Sequence, residues 1–175
     1  MTIALKFSGG AANSDPAASI GGAISSVDAT GALFALSHLQ FQLGVQLYRC
    51  VYVSTSLAKD ALKVWIHSDT PATETTIALG WGAATVNTTE TAIADQTTAP
   101  AGVSFSSPYN SVDAPSGGDF AAADYRALWI RYTAVAGSTP QVEQFTLEVD
   151  DDGQLYEFDF NKAKNSMYIP ILLGF

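Results

Sequence analysis

The chain has 175 residues, with 17 Asp and Glu against 8 Lys and Arg, for a formal net charge of −9; only 14% of residues are charged and 47% are hydrophobic. With no basic stripe to displace counterions from phosphates, the charge argues against nucleic-acid binding. The single cysteine excludes an internal disulfide framework, and no apolar run reaches the roughly 18 residues of a membrane-spanning helix.

The length suggests one domain with an appendage, large enough to be stable without a metal or disulfide. Abundant Ala, Ser, Thr and Gly alongside β-branched residues suits a β-rich protein. The opening MTIALKFSGG lacks the charged-then-hydrophobic order of a signal peptide, so a reducing cytoplasm is the expected place of folding.

Periodicity predicts strands in order at Ile3–Phe7, Leu47–Val53, Leu62–His67, Thr75–Gly80, Val103–Ser106, Tyr125–Tyr132, Gln144–Val149, Leu155–Phe160 and Met167–Leu173. Turn-formers separate them, among them Ser8-Gly9-Gly10, Ala99-Pro100-Ala101-Gly102 and Ser116-Gly117-Gly118-Asp119. Only Ala29–Leu43 reads as helical or irregular. No βαβ rhythm is present, so the expectation is an all-β antiparallel sandwich over residues 1–150. Residues 1–46 would pack on it or on a neighbour, and residues 151–175 would form a C-terminal hairpin and extended arm.

Two phrases nearly repeat: YRCVYV at Tyr48–Val53 and YRALWI at Tyr125–Ile130. Strand alternation puts Tyr48, Cys50 and Tyr52 on one face and Arg49, Val51 and Val53 on the other. In the second phrase Tyr125, Ala127 and Trp129 oppose Arg126, Leu128 and Ile130. Each strand thus has an aliphatic face for a core and an aromatic face too apolar for water, as central strands do. Phe120, five residues before Tyr125, suggests the tyrosine corner of immunoglobulin-like sandwiches, with Ala127 at the second cysteine position. Cys50 and Trp65 would then echo the conserved cysteine and tryptophan of that fold. The expectation is an immunoglobulin-like sandwich without its disulfide, with Tyr48, Cys50, Trp65, Tyr125 and Trp129 as structural residues.

After QFTLEV (Gln144–Val149) an acidic turn, Asp150-Asp151-Asp152-Gly153, leads to the most hydrophobic segment of the chain. Burying its large side chains would contribute roughly 10 kcal/mol. Ordering it costs on the order of 1–2 kcal/mol per residue in backbone entropy. These nearly cancel, so the segment is stable only on a preformed apolar surface, its own sandwich or a neighbour. Pro170 suits an edge or an arm better than a central strand. Tyr168, Ile169, Pro170, Ile171, Leu172, Leu173 and Phe175 are the candidate partner contacts.

Catalytic and ligand-binding signals are sparse. Glu148, Asp150, Asp152, Gly153 and Asp159 match EF-hand loop spacing, but both end ligands are atypical and Asp152-Gly153 reads as a hairpin turn. A plain solvated turn is the expectation. His38 and His67 belong to no metal motif, and His67 reads as an exposed strand-end histidine. No nucleophile elbow, Walker loop or dinucleotide fingerprint occurs. Cys50 reads as a buried structural thiol. The three tryptophans with seven tyrosines could stack on sugars, although each more often fills a core. No enzymatic activity, cofactor or metal is expected.

Two segments carry a resemblance. DPAASIGGAISS (Asp15–Ser26) followed by YRCVYV resembles a recurring small virion protein of tailed bacteriophages. The family's later segments match in order at Val64–Ile66, Thr76–Gly80, Thr98–Phe105 and Tyr125–Arg131. The resemblance spans roughly the first 150 residues; Leu155–Phe175 is an addition to the family pattern. It implies a non-enzymatic structural protein, first of all a capsid decoration or cement protein that stabilises the major capsid protein shell. On this reading it is a homo-oligomer in a virion assembled in the host cytoplasm, with no nucleic-acid or membrane partner. A neck, tail or baseplate component is the alternative within that class; a host-surface carbohydrate-binding module is the alternative outside it.

Overall fold

A computed structural model describes residues 3–69, 75–138, 143–151 and 154–164. In chain order the elements are β1 (Ile3–Ser8), a 3-10 turn (Pro16–Ala18), β2 (Ile24–Asp28), β3 (Ala35–Leu36) and α1 (His38–Leu43). They continue with β4 (Val45–Thr55), β5 (Lys63–Asp69), β6 (Thr75–Trp81), β7 (Tyr125–Ala134), β8 (Glu143–Asp151) and β9 (Gln154–Lys164). A five-stranded sheet in the order β2-β1-β4-β7-β6 faces a four-stranded sheet in the order β3-β9-β8-β5. All pairings are antiparallel except the two-residue contact of β3 with β9. The fold is an all-β sandwich, and Cys50 is a free, buried thiol.

Strand alternation builds the core between the sheets. Leu5, Val51, Val53, Leu128 and Ile130 of one sheet meet Val64, Ile66, Leu147, Val149 and Phe160 of the other. The two repeated phrases are neighbours, with Cys50 opposite Trp129 and Val51 opposite Leu128. They resemble each other because β4 and β7 occupy equivalent central positions, buried on both faces. The outward side chains Tyr48, Cys50, Tyr52, Ala127 and Trp129 make a second buried cluster of their own.

The immunoglobulin correspondences of individual residues do not hold. Cys50 and Ala127 lie on adjacent strands of one sheet and face away from the inter-sheet core. In the immunoglobulin pattern the paired positions face each other between sheets. Trp65 alternates with the core residues Val64 and Ile66 and so also faces outward, from the other sheet. The Tyr125 hydroxyl donates to the Asn87 carbonyl at 3.0 Å, across a sequence separation of 38 residues. This is a long-range tie, not a local corner.

The segment between β6 and β7, residues 82–124, explains why the outward faces are buried. Its first part crosses the aromatic face of the five-stranded sheet. Further on, Leu79 and Ser106 exchange both backbone hydrogen bonds at the free edge of β6. Ile66 then donates to Pro108, Leu62 to Gly118, and Gly117 back to Leu62, along the free edge of β5. One excursion therefore roofs a sheet and closes the side of the sandwich. The strand expected at Val103–Ser106 is reduced to the single bridge at Ser106, because Val103 and Phe105 spend their apolar side chains on the outer cluster. At Gly80 an added Cβ would lie 2.6 Å from the Ser104 carbonyl oxygen, so the crossing depends on glycine there.

Two further differences concern the termini. Ile24–Asp28, not anticipated, pairs with β1 as an outer strand. Within residues 1–46, β1 and β2 are thus integral to the sandwich. Past residue 150, β9 pairs along its whole length with β8 and places Phe160 in the core, so the sandwich runs at least to Lys164. The expected strand at Met167–Leu173 lies outside the described residues.

Candidate functional site

Among the described residues, the outer cluster holds two groups strongly shifted by burial, Cys50 and Tyr52. β1 stops at Ser8, which leaves the N–H groups of Tyr48 and Cys50 without a ladder partner. The stretch between β1 and β2 joins the excursion in this roof, and the two supply the acceptors: the Gln96 carbonyl of the excursion for Tyr48 and the Ser19 carbonyl of the earlier stretch for Cys50, each at 2.8 Å. The Tyr52 hydroxyl donates to the Gly22 carbonyl at 2.5 Å and accepts from the Glu90 N–H at 2.9 Å, fastening both roof segments to β4. Burial pushes the Cys50 thiol and the Tyr52 phenol well above their ordinary values. Both are held neutral, and neither is poised as a nucleophile. Trp129 is fully buried, and its indole N–H has no acceptor in the structure.

Arg49 turns toward the interior. Its guanidinium donates to the Leu33 carbonyl at 3.0 Å, the Tyr48 carbonyl at 2.9 Å and the Gln96 side chain at 2.6 Å, and lies over the Phe34 ring. Burial lowers its pKa to about 10, offset in part by the charge of Asp15, so it stays cationic at neutral pH. Three neutral acceptors and an aromatic face hold a charge that joins β4 to the roof and to the segment before α1.

A groove of about 560 Å³ runs along the roof beside Trp81, Phe105, Asp113 and Arg126. Its prominent side chains are already engaged. The Trp81 N–H donates to the Pro115 carbonyl at 3.0 Å, and Arg126 stacks on that indole while donating to the Gly117 and Gly82 carbonyls. Trp65, Trp81 and Trp129 are all buried. None of the three offers a free face for a sugar ring, while Tyr109 is exposed.

The outer face of the four-stranded sheet carries a polar constellation instead. The β8–β9 register pairs Asp151 with Gln154 and, three steps back, Glu148 with Glu157. His67 of β5 reaches the same place: its Nδ1 lies 2.8 Å from a Glu148 carboxylate oxygen. Ligand atoms of His67, Glu148 and Glu157 all lie within 4.8 Å of one another. The Glu148 side chain is only 4% exposed and that of His67 53%. His67 is thus a partner of a buried carboxylate rather than a bystander. The EF-hand spacing does not form a loop here: Glu148 and Asp159 sit on paired strands, and Asp159 accepts from Thr146 at 2.7 Å. Asp152 and Gly153 lie outside the described residues.

Six large apolar residues are exposed among those described: Leu57, Tyr109 and Val112 stand apart, while Leu39, Leu43 and Val135 share one end. α1 opens with a capping box between Ser37 and Gln40 and buries Phe41, while Leu39 and Leu43 are 60% and 71% exposed. Gly137 donates to the Phe41 and Gln42 carbonyls, bringing exposed Val135 to the same end. β9 finishes there too, Lys164 pairing with Leu36 just before α1. Of the residues expected to be structural, Tyr48, Cys50, Trp65 and Trp129 are buried and Tyr125 is half-buried. The candidate contacts Tyr168, Ile169, Pro170, Ile171, Leu172, Leu173 and Phe175 lie outside the described residues.

No family model and no curated protein matches the chain. Among solved structures, the chain is similar to a family 123 glycoside hydrolase from Clostridium perfringens, described in connection with glycolipid glycan hydrolysis. The likeness has a TM-score of 0.42 at 12% identity and covers 68% of this chain but 21% of that enzyme. An overlap of that extent bears on neither activity nor substrate.

Proposed function

We propose that the protein is a non-enzymatic assembly component, a decoration or cement protein of a tailed-phage capsid that clamps coat subunits and associates with its own copies. The observation that carries this reading is a cluster of exposed apolar side chains at one end of the sandwich, while Leu57, Tyr109 and Val112 are exposed singly elsewhere. Leu39, Leu43 and Val135 make up that cluster, beside the point where β9 ends. The sequence that follows Lys164 is the most apolar in the chain. An apolar patch on a rigid base suits attachment by several weak contacts repeated by symmetry. The Cys50 thiol, the one candidate nucleophilic sulfur, is sealed from solvent. The colinear motifs from Asp15 to Arg131 supply the phage context.

Removing Met167–Phe175 tests the reading. The shortened chain is expected to keep its far-UV circular dichroism and melting temperature but to lose self-association in sedimentation at least tenfold. Mass spectrometry and electron microscopy of intact particles should find the full chain on the capsid. Absence from particles, or a full chain that stays monomeric and attaches to no shell, would overturn it. Unfolding of the shortened chain would reassign the arm to capping its own core.

A further inference from the structure

The geometry points to a divalent metal site on the outer face of the four-stranded sheet, with His67, Glu148 and Glu157 as ligands and a borderline ion such as zinc as occupant. This inference does not depend on the assembly reading.

The first argument is register. Glu148 and Glu157 are directly opposed across β8 and β9, and like charges in that relation destabilise a sheet. The second is burial. The Glu148 carboxylate is almost wholly withdrawn from water, where a charge without compensation is costly. The His67 ring gives Glu148 a single contact at 2.8 Å, and Glu157 brings a second carboxyl group within 4.8 Å of both. A dication satisfies both carboxylates and the imidazole together.

The donor set selects the class of ion. One imidazole nitrogen with two carboxylate oxygens suits zinc and its first-row neighbours; calcium and magnesium favour all-oxygen shells. Bonds of about 2.0–2.2 Å in a tetrahedral shell place donor atoms about 3.3 Å apart. The His67–Glu148 contact at 2.8 Å therefore opens by about half an ångström. Glu157 is exposed and can swing inward. Three strands hydrogen-bonded side by side fix the Cα positions, so the side chains alone adjust. A fourth position remains for water or for a group from a neighbouring molecule.

The full chain, stripped with a chelator and exchanged into metal-free buffer, would be titrated with zinc chloride in a calorimeter and with cobalt(II) in a visible spectrometer. The expectation is one saturable equivalent tighter than about 100 μM, with a cobalt d–d band. Glu148→Gln changes a buried group and His67→Ala would strip that group of its partner, so the deciding variants are His67→Gln, which keeps a donor beside Glu148, and Glu157→Gln, both at exposed positions. Each should weaken zinc at least tenfold with unchanged circular dichroism, while His38→Ala, which alters the other histidine, should leave the affinity as it was. Binding weaker than about 100 μM, a smaller loss in either deciding variant, or loss in His38→Ala would overturn the assignment.

Discussion

Tyr52 shows how much depends on one hydroxyl. It joins Gly22 and Glu90, from roof segments far apart in sequence, to the central strand β4. In Tyr52→Phe the ring still packs edge-on against Tyr125, but the buried Glu90 N–H loses its acceptor. The expected cost is about 1–3 kcal/mol, read as a lower urea midpoint with unchanged slope. Cys50 and Tyr52 also set an alkaline limit. Both are held neutral with raised pKa values in the fold, whereas in the unfolded chain they ionise near about 8.5 and 10. Their contribution to stability is fully present below about pH 8.5 and is lost as pH rises. Urea midpoints should fall between about pH 8 and 10, and Cys50→Ala should flatten the first part of that fall.

At the scale of elements, α1 offers the simplest test. Ser37 accepts from the Gln40 N–H and Gln40 reaches back to the Ser37 N–H. Ser37→Ala should cost about 1 kcal/mol, measured by thermal unfolding, and loosen the end that carries Leu39 and Leu43. The Ser-x-x-Gln signature of this cap stands in the sequence, yet Ala29–Leu43 reads there only as helical or irregular, because six residues are too few for a period to emerge. The long strands were legible from alternation: β4 and β7 through their two-faced phrases, β8 and β9 through Asp152-Gly153 and the aromatic alternation after it. The strand expected at Val103–Ser106 fails because a short apolar run has the same composition whether it pairs with an edge or lies across a face. The His67–Glu148–Glu157 constellation was half legible. A two-residue turn at Asp152-Gly153 already sets Glu148 against Glu157, whereas loop spacing selected Asp150, Asp152 and Asp159 instead. His67 comes from a strand distant in sequence, and only the sheet order β9-β8-β5 brings it near.

For the whole molecule, the contrast between its surfaces matters most. Sandwich edges are routes to uncontrolled strand pairing, and here β5 and β6 are both occupied by the same excursion. The outward aromatic face of β4 and β7 is covered as well. The remaining edge strands are β2 and β3, and the assembly proposed above would use the end formed by α1 and Val135. The net charge of −9 opposes nonspecific association between copies. The sandwich itself was readable from composition and turn spacing. Its second buried layer was signalled only by aromatic residues that alternation pointed away from the core, with no indication of what would cover them.

The excursion over residues 82–124 concentrates several duties in one length of chain. A single backbone cut near Ser106 would unlatch two strands, one in each sheet, and lift the cover from Trp129 in the same event. A nicked copy would then present fresh hydrogen-bonding rims and a greasy floor, the ingredients of unregulated strand pairing. Integrity of this one connection guards both sheets at once.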